Sequence, residues 1–147
     1  MKPIKSKFLY YFLSFTWGII MSLAGGIVAL ILIVLGYRPK KNLYGIVFII
    51  GKDWGGISLG PVAIVSRHPD LYILNHEFGH SIQNCYLGPF FLFVVGIPSM
   101  ARYWYREFLV NVKKKSYLDL PPYDSIWFEG SATKLGEEHE KYICKVE

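Results

Sequence analysis

One short run of the chain, His76-Glu77-Phe78-Gly79-His80, has residue types and a spacing that could bind a metal ion and use it. Residues four apart lie on one face of an α-helix, so both imidazoles of an HExxH pattern can reach a single ion. The glutamate after the first histidine then projects beside a coordinated water and can accept its proton. The pattern therefore predicts a zinc site with His76 and His80 as ligands and Glu77 as general base.

Two histidines leave a catalytic zinc site one protein ligand short, because such sites have three protein ligands and a water. Glu129 is the best-placed candidate, within a WFEGSA run (127–132) on a predicted helix. Its aromatic neighbours would be unusual around a solvated carboxylate, which favours a metal ligand. The alternative is that Glu129 is an interfacial carboxylate near Lys134. Further downstream candidates are Asp124, Glu107, His139, Glu137 and Glu138.

Peptide hydrolysis also needs a donor that stabilises the oxyanion of the transition state. Tyr123, His68 and Tyr117 have suitable side chains, and the sequence does not choose among them. Of the three, we favour Tyr123 as the catalytic candidate. A capping or surface role explains His68 better, because it precedes Pro69 at the entrance of the metal-binding helix.

Helix signals flank the HExxH run. Ser66 can cap a helix, Pro69 suits its first turn, and Asp70 complements the positive end of the helix dipole. Gly88-Pro89 supplies a stop signal, so we predict a helix from Pro69 to Leu87. Gly79 lowers its helix propensity and is expected to let a strand or a substrate approach.

The stretch before this helix predicts a β-hairpin. Residues 44–50 and 57–65 are rich in β-branched and aromatic side chains, and residues 51–56 are rich in turn formers. Pro61 lacks a ladder donor, which predicts an edge position for the second strand. An extended peptide could pair with such an edge by β-augmentation, or the hairpin could simply pack under the helix.

Residues 8–35 contain no charged side chain and predict a transmembrane helix. About 28 helical residues rise roughly 42 Å, which exceeds the ~30 Å hydrocarbon core. Aromatic anchors are expected near both ends (Tyr10, Tyr11, Trp17, Tyr37), and Gly25-Gly26 would let another helix approach. The run is too long for a signal peptide and lacks a cleavage site, so we expect a retained anchor. Lysines and arginine flank it on both sides, and its orientation cannot be assigned.

The remaining elements complete an α+β membrane protein. Residues 90–107 are apolar but interrupted by Gly96 and Pro98, which favours a re-entrant or surface-embedded segment over a second membrane crossing. Pro121-Pro122 predicts a loop, and a C-terminal helix is expected from Ile126 to Glu138, capped by Asp124 or Ser125. We therefore divide the chain into an anchor (1–37) and a compact membrane-associated zincin-like domain (38–147).

Composition agrees with a cell-membrane location. The 147 residues are 52% hydrophobic and 17% aromatic, and the net charge is +5. The positive side chains flank apolar stretches, which favours anionic headgroups over nucleic acid. Cys85 and Cys144 are not spaced as metal ligands, and nothing in the sequence indicates that they pair. The oligomeric state cannot be read from the sequence.

The HExxH run followed by Glu129-Gly-Ser-Ala132 resembles the gluzincin layout. In that class the two histidines and a glutamate on a second helix bind zinc, and the HExxH glutamate is the general base. The stretch from Trp54 to Ser99 also looks like small bacterial integral-membrane proteins of HExxH type. The resemblance implies a membrane zinc metallopeptidase acting on a peptide or protein. Leu118-Asp119-Leu120 lacks the glycine of the LDG motif of site-two intramembrane proteases.

Four histidines are too few for a histidine-box diiron enzyme, and only one ExxH motif occurs, against the repeats of a carboxylate diiron bundle. The main alternative is a non-catalytic small membrane protein that binds a membrane partner, in which HExxH is structural or accidental. The substitution Glu77→Gln distinguishes the hydrolase from the non-catalytic protein, because a structural metal site would tolerate glutamine at this position.

Overall fold

The computed structural model describes residues 1–52 and 54–144, which form an α+β fold. The α-helices in these ranges are α1 (Lys7–Phe15), α2 (Ile19–Val34), α3 (Leu71–Leu87), α4 (Ile97–Asn111) and α5 (Trp127–Ile143). The strands are β1 (Lys40–Asn42), β2 (Gly45–Ile49), β3 (Gly56–Leu59) and β4 (Val62–Val65). Tighter or wider helical turns occupy Gly88–Phe90, Leu92–Gly96, Tyr117–Asp119 and Tyr123–Ser125.

The strands form one sheet in the order β1-β2-β4-β3. β2 runs parallel to β4, and the antiparallel pairs are β1–β2 and β3–β4. The predicted hairpin between residues 44–50 and 57–65 is therefore wrong. The second of these stretches is itself a hairpin, because Gly60 adopts a φ of +61° and Pro61 falls in the turn instead of the ladder. Only its first half, β3, is an edge strand.

The sheet lies between two helices. Phe48 and Val62 pack on one face beneath Ala29 and Leu32 of α2. On the other face Val47, Ala63 and Val65 pack against α3. Gly25 of α2 is essential to the first contact, because a Cβ there would collide with the Leu59 carbonyl. This glycine therefore admits the β3–β4 turn, where the sequence predicted an approaching helix.

The predicted continuous helix over residues 8–35 is divided in two. α1 and α2 meet at an angle of 91°. Gly18 lies at the break, where its carbonyl accepts a hydrogen bond from Asn84 Nδ2 (3.2 Å) and a Cβ would collide with that amide. Tyr10 is fully buried and its hydroxyl contacts Ser81 of α3 (2.5 Å), so it is not the interfacial anchor expected.

The HExxH helix begins slightly later than predicted and ends where predicted. Asp70, and not Ser66, caps α3 by accepting a hydrogen bond from the Ile73 amide (2.8 Å). Gly88, with a φ of +55°, follows its last residue. The chain then turns through 118° between Phe90 and Leu92 and continues as a helical run to Asn111. Gly96 and Pro98 therefore do not interrupt it as predicted.

α5 packs lengthwise against α3 and extends to Ile143, beyond the predicted end at Glu138. Two glycines allow the helix backbones to touch: a Cβ on Gly79 would collide with the Ala132 carbonyl, and one on Gly136 with the Asn75 carbonyl. Gly79 thus admits α5, where we expected a strand or substrate. Ile126 is the N-cap residue and makes no side-chain cap, so neither Asp124 nor Ser125 has the predicted role.

Across the described ranges, no one helix is both long and apolar enough to cross a bilayer. The bent pair α1–α2, and the pair formed by residues 71–90 and 92–111, satisfy length and composition only when their two members are taken together.

Candidate metal centre

His76, His80 and Glu129 converge between α3 and α5 as a buried group that could bind a metal ion. His76 Nε2 lies 3.0 Å from Glu129 Oε2, and His80 Nε2 lies 3.1 Å from the same oxygen. The two Nε2 atoms are 3.1 Å apart. The three donor atoms therefore form a nearly equilateral triangle.

This triangle is close to the size that a small divalent ion requires. Bonds of 2.0–2.1 Å in a tetrahedral zinc site place neighbouring ligand atoms about 3.3 Å apart. The observed spacings are only a few tenths of an ångström shorter, so a slight expansion would accommodate the ion. Two imidazoles and one carboxylate also leave the fourth position for water or substrate, as in catalytic sites.

Hydrogen bonds behind the histidines hold their Nε2 atoms toward the shared centre. His76 Nδ1 lies 2.9 Å from Thr133 Oγ1, and His80 Nδ1 lies 2.8 Å from Gln83 Oε1. Gln83 is itself fixed, because its amide nitrogen donates to the Phe128 carbonyl (2.7 Å) and to Ser131 Oγ (2.6 Å). An acceptor at Nδ1 keeps a proton on that nitrogen when Nε2 loses its own, so Nε2 is the atom that would ligate a metal.

Glu129 lies fully buried in the first turn of α5. Burial alone would raise its pKa, but hydrogen bonds with His76 and His80 outweigh burial and hold the pKa of Glu129 well below its usual range. Ser99 of α4 donates a hydrogen bond to the second carboxylate oxygen, Oε1. Only Oε2 therefore faces the imidazoles, so the side chain is oriented to bind a metal ion through one oxygen.

Glu77 lies beside the triangle and against the edge strand. Its side chain contacts the backbone of Gly56 in β3, where a Cβ would lie 2.5 Å from Oε1. The carboxylate is buried, and its Oε2 has no hydrogen-bond partner within residues 1–52 and 54–144. Burial raises the pKa of Glu77, and the nearby imidazoles oppose that rise. A buried acceptor without a partner is the state expected of a carboxylate waiting for a water or a proton.

Tyr123 lies at the rim of the site. Its ring centroid is 6.1 Å from that of His76, and its hydroxyl is 3.3 Å from Ser99 Oγ. Burial raises the pKa of Tyr123 to about 12, so the phenol is a hydrogen-bond donor at neutral pH. Arg102 holds the Tyr123 carbonyl (3.0 Å) and the Pro122 carbonyl (2.8 Å), which fixes the loop that carries the phenol.

The other candidates from the sequence lie elsewhere. His139 is buried among aromatic rings, Asp124 accepts a hydrogen bond from Tyr72, and Glu138 lies 4.0 Å from Lys134. Lys134 therefore has Glu138, not Glu129, as its acidic neighbour. The remaining candidates lie outside the triangle. Tyr117 donates a hydrogen bond to Glu107, and Glu137 and His68 are exposed.

Three polar residues around the metal group escaped sequence reasoning. Gln83 follows His80 by three positions on one helix face, which is a usable signal. Thr133 stands four positions after Glu129 on α5 in the same way. Ser99 carries no local signal, because only the 118° turn after α3 brings α4 beside Glu129.

Comparisons with protein-family models, curated proteins and solved structures found no match to this chain.

Proposed function

We propose that this protein is a membrane-bound zinc metallopeptidase of gluzincin type. The observation that carries the proposal is the pairing of a buried His76–His80–Glu129 triangle with an unpartnered buried carboxylate, Glu77, beside it. A structural metal site would need the first group only. Hydrolysis needs both, because an acceptor must take the proton of the attacking water.

Bound zinc would supply polarisation of the scissile carbonyl and a lower pKa for the attacking water. Glu77 accepts that water's proton and passes it to the leaving amine. Tyr123 is the donor proposed for the developing oxyanion, and Arg102 keeps its loop in place. Thr133 and Gln83 orient the two imidazoles throughout.

The edge strand supports a peptide as substrate. β3 pairs with β4 on one side only, according to the described part of the sheet. Its first residue, Gly56, contacts Glu77. An extended peptide that adds to this edge would present its backbone beside the general base.

Exposed apolar side chains support attachment to a membrane. α2 exposes Leu23, Ile27, Leu30 and Val34, and α4 exposes Ile97, Met100, Trp104 and Phe108 at helical spacing. Contiguous exposed apolar surface of this kind is typical of protein or membrane interaction sites. The proposed location is the cell membrane, with α1–α2 as the anchor.

Metal content tests the ligand assignment. We expect purified wild-type protein to bind about one zinc ion, and Glu129→Ala to lose most of its affinity, because catalytic sites use three protein ligands. Competition with a chromogenic chelator measures the change. Glu138→Ala is the matched control, since it removes an α5 carboxylate outside the triangle. Unchanged zinc affinity in Glu129→Ala would refute the assignment.

Glu77→Gln separates an enzyme from a structural metal site. The variant is expected to retain zinc and to lose hydrolysis of a quenched-fluorescent peptide library by at least about 10²-fold, the usual contribution of acid–base catalysis. Full activity with full zinc content would contradict the role of Glu77. Zinc binding with no hydrolysis by wild type of any peptide, including membrane-embedded ones, would favour the structural alternative.

A further inference from the structure

A basic groove opens beside the sheet, on the face that packs against α3. Its volume is about 530 Å³, and its lining comes from β1, β2, the β4–α3 loop and α3: Lys40, Lys41, Asn42, Val47, Ile49, Arg67, His68, Pro69 and Leu74. No ligand of the metal triangle is among these residues. We propose that this groove binds a phosphate-bearing anion.

Its charge distribution carries the proposal. Lys40, Lys41 and Arg67 line the groove together with His68, and no carboxylate does. Over the described part of the chain, none of the three permanent cations forms an ion pair. Lys40 pairs with Val47 and shares its face of the sheet, so the charges of Lys40 and Arg67 meet at one concave space, whereas the side chain of Lys41 lies on the opposite face. These two like charges repel each other, and an anion between them removes that repulsion.

The donor chemistry favours phosphate. The guanidinium of Arg67 can donate two parallel hydrogen bonds to phosphate oxygens, and Lys40 supplies a point charge. Asn42 is already held, because its amide donates to the Leu74 carbonyl (3.1 Å). The backbone of His68 has a φ of 62°, an uncommon conformation for a residue other than glycine and one often found at ligand sites.

The lining of the groove is partly apolar, which bears on whether its ligand is a free phosphate or a lipid headgroup. Val47, Ile49 and Leu74 give the groove an apolar wall, which a free phosphate would not contact and an acyl–glycerol unit would. Lys40 also follows Leu35, an exposed residue just beyond α2, by five positions, hence within about 18 Å. Both ligands share the phosphate group that the cations would bind.

The test uses the full chain in an uncharged maltoside detergent. Calorimetric titration measures Kd for inorganic phosphate and for dihexanoyl phosphatidic acid, with wild type and with Lys40→Glu/Arg67→Glu. The matched control, Lys134→Glu/Lys141→Glu, changes the net charge equally on α5, outside the groove. The Lys40→Gln/Arg67→Gln variant repeats the measurement if charge reversal prevents folding, and far-UV circular dichroism reports that each variant is folded.

We expect at least about tenfold weaker binding of the phosphate-bearing probes in the groove variants and little change in the control. Comparable Kd values for the two probes would identify the phosphate group itself as the ligand. Phosphatidic acid binding at least about tenfold tighter would identify a lipid headgroup. Absence of binding to wild type, or equal weakening in the groove variants and the control, would overturn the proposal.

Discussion

His139 is fully buried on α5, and neither of its ring nitrogens has a hydrogen-bond partner in the described part of the structure. The rings of Tyr44 (4.6 Å) and Phe78 (4.8 Å) enclose it, with Tyr142 farther away (6.3 Å). The ammonium of Lys5 lies over the Tyr142 ring, 5.2 Å from its centroid. Burial lowers the pKa of His139 to about 4, so the imidazole is neutral in the folded protein at neutral pH.

Acid is therefore expected to destabilise the protein through His139. Its pKa in the folded state lies below the unfolded value of about 6.5, so the unfolded chain binds more protons between these two pH values. The free energy of unfolding should fall as pH decreases through that window, by roughly 2–3 kcal/mol from this group at pH 4.5. His139→Phe should remove this contribution. Denaturant unfolding of both proteins at pH 7.5 and 4.5 measures the difference, and identical pH slopes would contradict it.

At this scale the sequence predicts ligands better than their supports. His76, His80 and Glu129 could be proposed because zinc requires particular donors and a third one had to exist. Their convergence into one buried group agrees with that proposal. Ser99 could not be found, since a serine that donates to a carboxylate has no distinguishing neighbours in the sequence.

Among the elements, the contact between α3 and α5 controls the metal group, because each helix carries part of it. Gly79→Ala is expected to lower the free energy of unfolding by about 1–3 kcal/mol, since its methyl group would push on the Ala132 carbonyl. Zinc affinity should also fall, because His80 and Glu129 would move apart. Thermal unfolding in detergent and chelator competition measure the two effects.

Gly26→Ala is the matched control for this substitution. Gly26 lies in α2 with open space around its Cβ position, so alanine there should stabilise the helix by about 1 kcal/mol. If Gly79→Ala were equally stabilising, close packing between α3 and α5 would not be what Gly79 provides.

Local signals determined which elements could be predicted. The end of α3 follows from Gly88 and its start from residues around Pro69, because caps and stops act within a few residues. Strand pairing cannot be predicted from such local signals. β2 and β4 are parallel partners, and no turn sequence between them indicates this pairing. The bend between α1 and α2 occurs at Gly18, but the contact there with Asn84 comes from far along the chain, so the apolar run from residue 8 to 35 could not predict it.

In the whole molecule, exposed apolar side chains lie on α1, α2 and α4 and are not confined to one helix. α2 contains 16 residues and rises about 24 Å, short of the ~30 Å hydrocarbon core. α1 turns away from it by 91° and exposes Phe8, Phe12 and Phe15. α4 adds a third exposed stripe while its opposite side holds Ser99 against Glu129. Under our proposal, the same helix would contact lipid on one side and the metal group on the other.

Membrane attachment through α2 is directly testable. We expect the wild-type chain to float with liposomes and to resist alkaline carbonate extraction. Leu23→Glu/Ile27→Glu places two charges on the exposed face of α2, at about 2.5–3.5 kcal/mol each at the centre of a bilayer, and should release a large fraction into the wash. Lys134→Glu/Lys141→Glu should stay attached, because its new carboxylates replace charged side chains on α5. Extraction of the wild-type chain by carbonate alone would refute the anchor, and equal retention of the α2 variant would move the attachment to α4.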